Sequence, residues 1–163
     1  MTIAELNASD AARFVAVLRE VWEESPWVSE RAWERRPFAS VDHLHAVMAD
    51  VVAAASRDEQ LCLLRAHPEL GARRHMSAAS TREQAGVRLD RLEAAEVARL
   101  DRLNAAYRLK FSFPFLFAVS GSSTHDVIDA LERRLPRTLD DEFEEALHQV
   151  SRIARLRLQP LLA

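Results

Sequence analysis

The sequence predicts an all-α protein, because apolar residues recur at helical intervals along almost all of its 163 residues. Chain breakers are scarce, with three glycines and six prolines, and they separate these amphipathic stretches. The one strand-like stretch, Phe115 to Val119, has no second strand with which to pair. We therefore expect one domain over residues 1–163, a helical bundle of about seven to nine helices.

Capping residues and breaks place the first helices. Asn7 or Ser9 can cap a helix whose apolar residues recur from Phe14 to Trp22. A break at Ser25-Pro26 precedes a short segment, Trp27 to Arg36, which Pro37 ends. These signals predict two helices before residue 37.

The middle of the chain holds further helix signals. Ser40 can cap a helix with an apolar face, and residues 58–66 form a short helix that ends at His67-Pro68. The stretch 72–79 has no clear period and is expected to be a loop. Ser80 and Glu83 have the spacing of a capping box, which would begin the next helix at Ser80.

Three more helices follow in the prediction. A long one runs from about Leu92 to Lys110, Ser123 or Thr124 caps another, and Thr138 caps the last. The residues expected to face inward on the long helix are Val97, Leu100, Leu103, Asn104 and Tyr107; those on the last helix are Phe143, Leu147, Val150, Ile153, Leu156 and Leu158.

Composition excludes several classes of protein. Hydrophobic content of 48% with 29% charged residues is ordinary for a soluble globular protein, and a net charge of −3 disfavours nucleic-acid binding. No apolar run is long enough to span a membrane, and the N-terminus lacks the pattern of a signal peptide, so we expect a cytoplasmic protein. The single Cys62 excludes an internal disulfide and, within an apolar run, is expected to be a small buried residue.

Polar residues gather beside the few breakers. His67 precedes a proline, which favours extended backbone and lets the ring project from a helix end. Glu83 can either close the capping box or transfer protons, and Gln84 beside it carries an amide suited to a ureido or amide group. Pro114 prevents a regular helix in the aromatic strip 111–117, so that backbone N–H groups after it can bind an anion or a carbonyl oxygen.

Taken together, these motifs resemble the family of OHCU decarboxylases, in which OHCU is 2-oxo-4-hydroxy-4-carboxy-5-ureidoimidazoline. Each motif is weak alone, but five in the family's order are specific, and they span about residues 14 to 162. Ser112 departs from the pattern, because the family usually has glycine there; if that position needs a positive φ, serine adds about 1 kcal/mol of strain. The matching motifs are Arg36-Pro37-Phe38, His67-Pro68-Glu69-Leu70-Gly71, Ser80-x-x-Glu83-Gln84-x-Gly86, Leu103-Asn104-x-x-Tyr107-x-x-Lys110-Phe111-x-Phe113-Pro114-Phe115 and Ile153-x-x-x-Arg157-Leu158.

The resemblance implies a carboxy-lyase that converts OHCU to (S)-allantoin, the last step of urate breakdown, without a metal or other cofactor. It implies that His67 and Glu83 are catalytic. It also implies a homodimer, for which Trp22, Trp27 and Trp33 give weak support, since they can equally be core residues. The residues implied to bind substrate are Pro68, Ser80, Gln84, Arg157 and the segment of Phe115, Leu116, Phe117, Ala118 and Val119, the last through its main-chain amides.

Two other classes remain open from the residues alone. A metal hydrolase could use His67, Glu69, His75 and Glu83, but their spacing lacks the i, i+4 histidine pair of common zinc sites. A non-catalytic helical binding module would be favoured if one of the four main site residues were missing. All four are present: His67, Glu83, Gln84 and Arg157.

Overall fold

The computed structural model of the chain describes residues 1–71, 78–86 and 93–162. Within these ranges the regular structure consists of nine α-helices and no strand, which confirms the all-α prediction. The stretch Phe115 to Val119 is irregular rather than a strand. The helices are α1 (Ile3–Ala8), α2 (Ala11–Leu18), α3 (Pro26–Trp33), α4 (Val41–Ala53), α5 (Arg57–Ala66), α6 (Ala78–Gly86), α7 (Ala94–Phe111), α8 (Thr124–Arg134) and α9 (Leu139–Leu161).

The chain divides into two compact units. One comprises Met1–Ala66 and Ser151–Ala163, and the other comprises His67–Val150. The division falls within α9. A single domain over residues 1–163 stays a prediction.

In the first unit, helix starts differ from the prediction. Thr2 caps α1 in a capping box with Glu5, and Asp10 caps α2, so the expected cap at Asn7 or Ser9 is wrong. Asn7 instead exchanges two hydrogen bonds of 2.9 Å with the backbone of Phe38, a contact 31 residues away that helical spacing does not reveal. The predicted cap at Ser40 is confirmed, because its hydroxyl accepts from the His43 amide at 3.0 Å.

The same unit overturns the prediction for the lone cysteine. Cys62 is exposed, because the buried face of α5 is formed by the next two residues, Leu63 and Leu64. Trp22 is a core residue, whereas Trp27 and Trp33 are half-buried. The apolar residues next to Cys62 in the sequence therefore did not indicate which side of α5 it occupies.

The second unit contains an aromatic core around Tyr107. Its ring centroid lies 4.5 Å from that of Phe111, 6.0 Å from that of Phe113 and 5.4 Å from that of Phe115. Ser112 ends α7 in the left-handed conformation, with φ 65° and ψ 16°. The condition for strain at Ser112 is therefore met, at a cost of about 1 kcal/mol.

Helix boundaries in the second unit are partly as predicted. Ser123 and Thr138 accept hydrogen bonds from backbone amides at the starts of α8 and α9, as expected. The predicted start at Ser80 is wrong, since α6 already begins at Ala78, and Glu83 therefore does not close a capping box there. Of the predicted loop 72–79, residues 78 and 79 belong to α6, and residues 72–77 lie outside the described residues.

The inward face of α9 is also mostly as predicted. Phe143, Val150, Ile153 and Leu158 are buried, but Leu156 is 39% exposed, so its assignment to the core is wrong. The buried face instead includes residues that the apolar pattern passed over, Glu142, Ala146, Gln149, Ala154 and Arg157.

Candidate active site

His67 lies immediately after α5 at the start of a short loop that ends at Gly71. Its side chain is buried, with 3% of its surface exposed. Gly71 closes the loop with φ +79°, and a Cβ there would lie 2.7 Å from Leu100 Cδ2. Glycine is thus favoured by the backbone conformation, and a larger residue would also require the Leu100 side chain to shift.

Two buried amide side chains hold this loop by its backbone. Gln84 Oε1 accepts from the Gly71 amide at 2.8 Å, and Gln84 Nε2 donates to the Glu69 carbonyl at 3.2 Å. Asn104 Nδ2, on α7, donates to the Leu70 carbonyl at 2.9 Å. We call Gln84 and Asn104 the amide clamp, since together they satisfy three backbone groups in three consecutive residues.

The α6 helix carries three of the predicted site residues on one face. Ser80 and Gln84 are buried and Glu83 is half-buried, whereas Arg82 and Ala85 are exposed. Since Gln84 bonds to the loop that begins at His67, the helix that carries Glu83 is tied directly to that loop.

The segment 115–119 is held by side chains rather than by regular structure. Arg134 Nη1 donates to the Leu116 carbonyl at 2.6 Å, and Gln149 Oε1 accepts from the Ala118 amide at 2.9 Å. Phe117 is half-buried, and the other four residues are buried. Among the described residues, the N–H groups of Phe115, Leu116, Phe117 and Val119 donate to no acceptor.

A buried charged network lies beneath this segment. Arg134 donates through Nε to Glu142 Oε1 at 2.7 Å, and Glu142 is fully buried. The Tyr107 hydroxyl donates to the same oxygen at 2.5 Å. Burial, and then the hydrogen bond to Glu142, raise the pKa of Tyr107 far above its ordinary value, so this hydroxyl remains a donor.

Arg157 lies in the first unit as half of a buried ion pair. Its Nη1 is 2.8 Å from Glu23 Oε2 and donates to the Glu20 carbonyl at 2.7 Å. Only 7% of Arg157 is exposed. The sequence reasoning selected Arg157 but did not foresee that a carboxylate pairs with its charge.

Sequence reasoning also missed the residues that support the site. Arg134, Glu142, Gln149 and Glu23 are buried, and Asn104 was expected to face inward without an assigned role. For the four that lie on helices, the available signal was a polar residue at a position that periodicity places in the core, because such a group must find a partner there. Glu23, in a turn after α2, gave no such signal.

Metal-binding clusters and membrane-spanning helices are both absent from the described residues. In residues 1–71, 78–86 and 93–162, no group of three or more His, Cys, Asp or Glu is placed to hold a metal ion. His75, one of the residues considered for a metal hydrolase, lies outside those ranges. No helix in this part of the chain combines the length and apolarity needed to cross a bilayer.

Comparison with known proteins gives consistent matches. The sequence model of the OHCU decarboxylase family matches residues 7–159. A 2-oxo-4-hydroxy-4-carboxy-5-ureidoimidazoline decarboxylase of Halalkalicoccus jeotgali is 45% identical over 161 residues, covering 99% of this chain and 92% of that protein. The uric acid degradation bifunctional protein PucL of Bacillus subtilis is 39% identical over 161 residues, which are 99% of this chain and 33% of PucL. Among solved structures, an (S)-allantoin synthase superposes with a TM-score of 0.83 at 31% identity, over 99% of this chain and 54% of that one.

Proposed function

Because the chain belongs to the OHCU decarboxylase family, we propose that His67 and Glu83 transfer the protons in its conversion of OHCU to (S)-allantoin. The protein is a carboxy-lyase of urate degradation. The observation that carries the assignment of these two residues is the amide clamp, in which Gln84 ties the helix of Glu83 to the loop of His67.

The reaction requires few chemical groups from the protein. The bond between the ring carbon and the carboxylate breaks, and its electron pair moves into the adjacent C=N group and the carbonyl conjugated with it. Three proton movements then complete the product: the ring nitrogen that received the electron pair takes up a proton, the hydroxyl proton leaves, and the former C=N carbon gains a proton on one face. His67 and Glu83 are suited to these transfers, since imidazole and carboxylate side chains are common general acids and bases in enzymes.

Substrate binding is assigned from the family resemblance. The family resemblance supports Pro68, Ser80 and Gln84 beside the loop, the amides of Phe115, Leu116, Phe117 and Val119, and Arg157. Ala118 is expected to contribute by its place in the segment, because its own N–H donates to Gln149. These groups would orient the ring, the ureido arm and the departing carboxylate, which is how positioning lowers the barrier.

We expect the reaction to proceed without a cofactor, since the C=N and carbonyl groups of OHCU already provide an electron sink. The measurement is turnover after exhaustive chelation. Turnover that falls with EDTA and returns with one added metal ion would contradict the proposal.

The catalytic assignment is tested by His67→Ala and Glu83→Gln with freshly generated OHCU. Each should lower kcat by about 10²-fold or more, the usual contribution of a positioned acid–base group. Glu83→Gln is a clean test because α6 begins at Ala78 and the substitution disturbs no cap. Glu132→Gln is the matched control, since Glu132 is an exposed carboxylate of α8 that pairs with Arg99.

Near-wild-type kcat in Glu83→Gln would show that this carboxylate transfers no proton. A wild-type protein that binds (S)-allantoin but does not accelerate CO2 release would instead favour a helical binding module derived from the family. We further propose that the protein acts in the cytoplasm as a homodimer, on the basis of the family resemblance.

A further inference from the structure

The backbone of the segment 115–119 is held by two buried polar side chains, although the side chains of the segment itself are apolar. Its backbone is bonded at the Leu116 carbonyl by Arg134 and at the Ala118 amide by Gln149. The Arg134 guanidinium carbon also lies 4.6 Å from the centroid of the Phe115 ring. A charged group therefore contacts the segment through both a hydrogen bond and an aromatic face.

This charge is costly to bury. Arg134 is 8% exposed, and its partner Glu142 has no exposed surface. Replacing a buried ion pair with apolar residues of similar volume is often neutral or stabilising, so such a pair is weak evidence for a stability role. A role other than stability is therefore expected for the Arg134–Glu142 pair.

The contact determines the direction of one peptide group. The Leu116 carbonyl and the Phe117 N–H are opposite ends of the same planar trans peptide, and they point in opposite directions. Because the carbonyl oxygen faces Arg134 at 2.6 Å, the Phe117 N–H points away from Arg134. Within the described part of the chain, this N–H has no acceptor.

The same contact changes the strength of the donor. A guanidinium at a carbonyl oxygen draws electron density along the peptide group, which makes the N–H at the other end a better donor. The Ala118 amide is already used by Gln149, so it cannot play the same part. Phe117 is thus the residue of the segment whose amide is both oriented and polarised by a buried charge.

We propose that Arg134 orients and polarises the Phe117 amide, and that this amide donates to the ring carbonyl oxygen of OHCU that gains negative charge on decarboxylation. The inference rests on the proposed function, because it takes OHCU as the substrate and the segment 115–119 as part of its site. Arg134 is a positioning residue, and its effect belongs to kcat because the oxygen becomes more negative in the transition state.

The first test follows the amide itself in the wild-type protein. With ¹⁵N-phenylalanine labelling, titration with the stable product (S)-allantoin should shift the Phe117 amide proton downfield, as a new hydrogen bond requires. The other six phenylalanines of the chain provide internal references. A Phe117 amide that does not move at saturating (S)-allantoin would overturn the proposal.

The second test removes the charge with its partners. One variant combines Tyr107→Phe, Arg134→Met and Glu142→Leu, so that no buried charge or hydroxyl group loses its partner. Tm should fall by several degrees, because the buried Leu116 carbonyl loses its donor, and kcat should fall about tenfold or more with little change in KM. Arg137→Met is the matched control, because Arg137 contacts Glu142 at 3.5 Å without contacting Leu116, and it should retain wild-type kcat.

The possible outcomes are distinct. If the triple variant folds and retains wild-type kcat, Arg134 has no part in turnover and the proposal is wrong. If the triple variant does not fold, the titration of the labelled Phe117 amide in the wild-type protein decides whether the proposal holds. If wild-type protein does not turn over OHCU at all, the proposed function fails, irrespective of Arg134.

Discussion

Tyr107 is the only tyrosine of the chain and is fully buried, so its ionisation can be followed without interference. Burial and the hydrogen bond to Glu142 raise the pKa of its hydroxyl in the folded protein. The protonated form is therefore favoured by folding, and its stabilisation is complete below the unfolded pKa of about 10. Above that pH the unfolded chain releases a proton that the folded chain retains.

The resulting prediction concerns alkaline pH. The free energy of unfolding should fall by about 1.4 kcal/mol for each pH unit above about 10, an effect that Tyr107→Phe should remove. Urea unfolding of both proteins measures the difference, and tyrosinate absorbance gives the native titration directly. Tyrosinate appearing at the same pH in native and urea-unfolded protein would contradict the buried hydroxyl.

At single residues, sequence patterns predicted backbone features better than side-chain surroundings. The positive φ considered for Ser112, where the family usually has glycine, is found in the structure, and α5 ends just before His67-Pro68, as the proline predicted. The exposure of Cys62 and the pairing of Arg157 with Glu23 did not follow. Both depend on which helix packs against the residue, and helical periodicity leaves that undetermined.

Among the helices and loops, the amide clamp is the feature that most directly concerns catalysis. Asn104 contacts the Leu70 carbonyl from α7, three residues along the loop from His67. Asn104→Ala should lower kcat by about tenfold to 10²-fold through misplacement of His67. It should also cost about 1–3 kcal/mol of stability, because the Leu70 carbonyl loses its partner in a buried position.

Combination with His67→Ala separates positioning from general destabilisation. In a His67→Ala background, Asn104→Ala should have almost no further effect on kcat, since the group that it positions is gone. Val127→Ala is the control for stability, because Val127 is a fully buried residue of α8. If Asn104→Ala lowers kcat by the same factor with or without His67, its effect does not pass through that histidine.

For the helices, the sequence predicted approximate positions better than exact starts. Most helices were placed by their apolar periods, and Ser40, Ser123 and Thr138 were correct caps. The errors lie at starts such as α2 and α6, where several residue types can cap and local sequence does not choose between them. Contacts such as that of Asn104 with Leu70, 34 residues apart, arise only when the chain folds.

For the whole molecule, the open structural prediction is the homodimer. Sedimentation equilibrium at micromolar concentration should give twice the protomer mass of 18.5 kDa. Trp27 and Trp33, which are half-buried in the protomer, are the aromatic residues that the prediction places near the interface. A species of 18.5 kDa across the concentration range would remove the proposal.

Stereochemistry gives the most direct test of the activity, because OHCU also decays spontaneously and a protein that only binds OHCU cannot select one face for protonation. Freshly generated OHCU should be converted by the wild-type protein to allantoin with the circular dichroism of the S enantiomer, faster than its spontaneous decay. His67→Ala and Glu83→Gln should leave mainly racemic product. Racemic allantoin from the wild-type protein at the spontaneous rate would contradict the assigned decarboxylase activity.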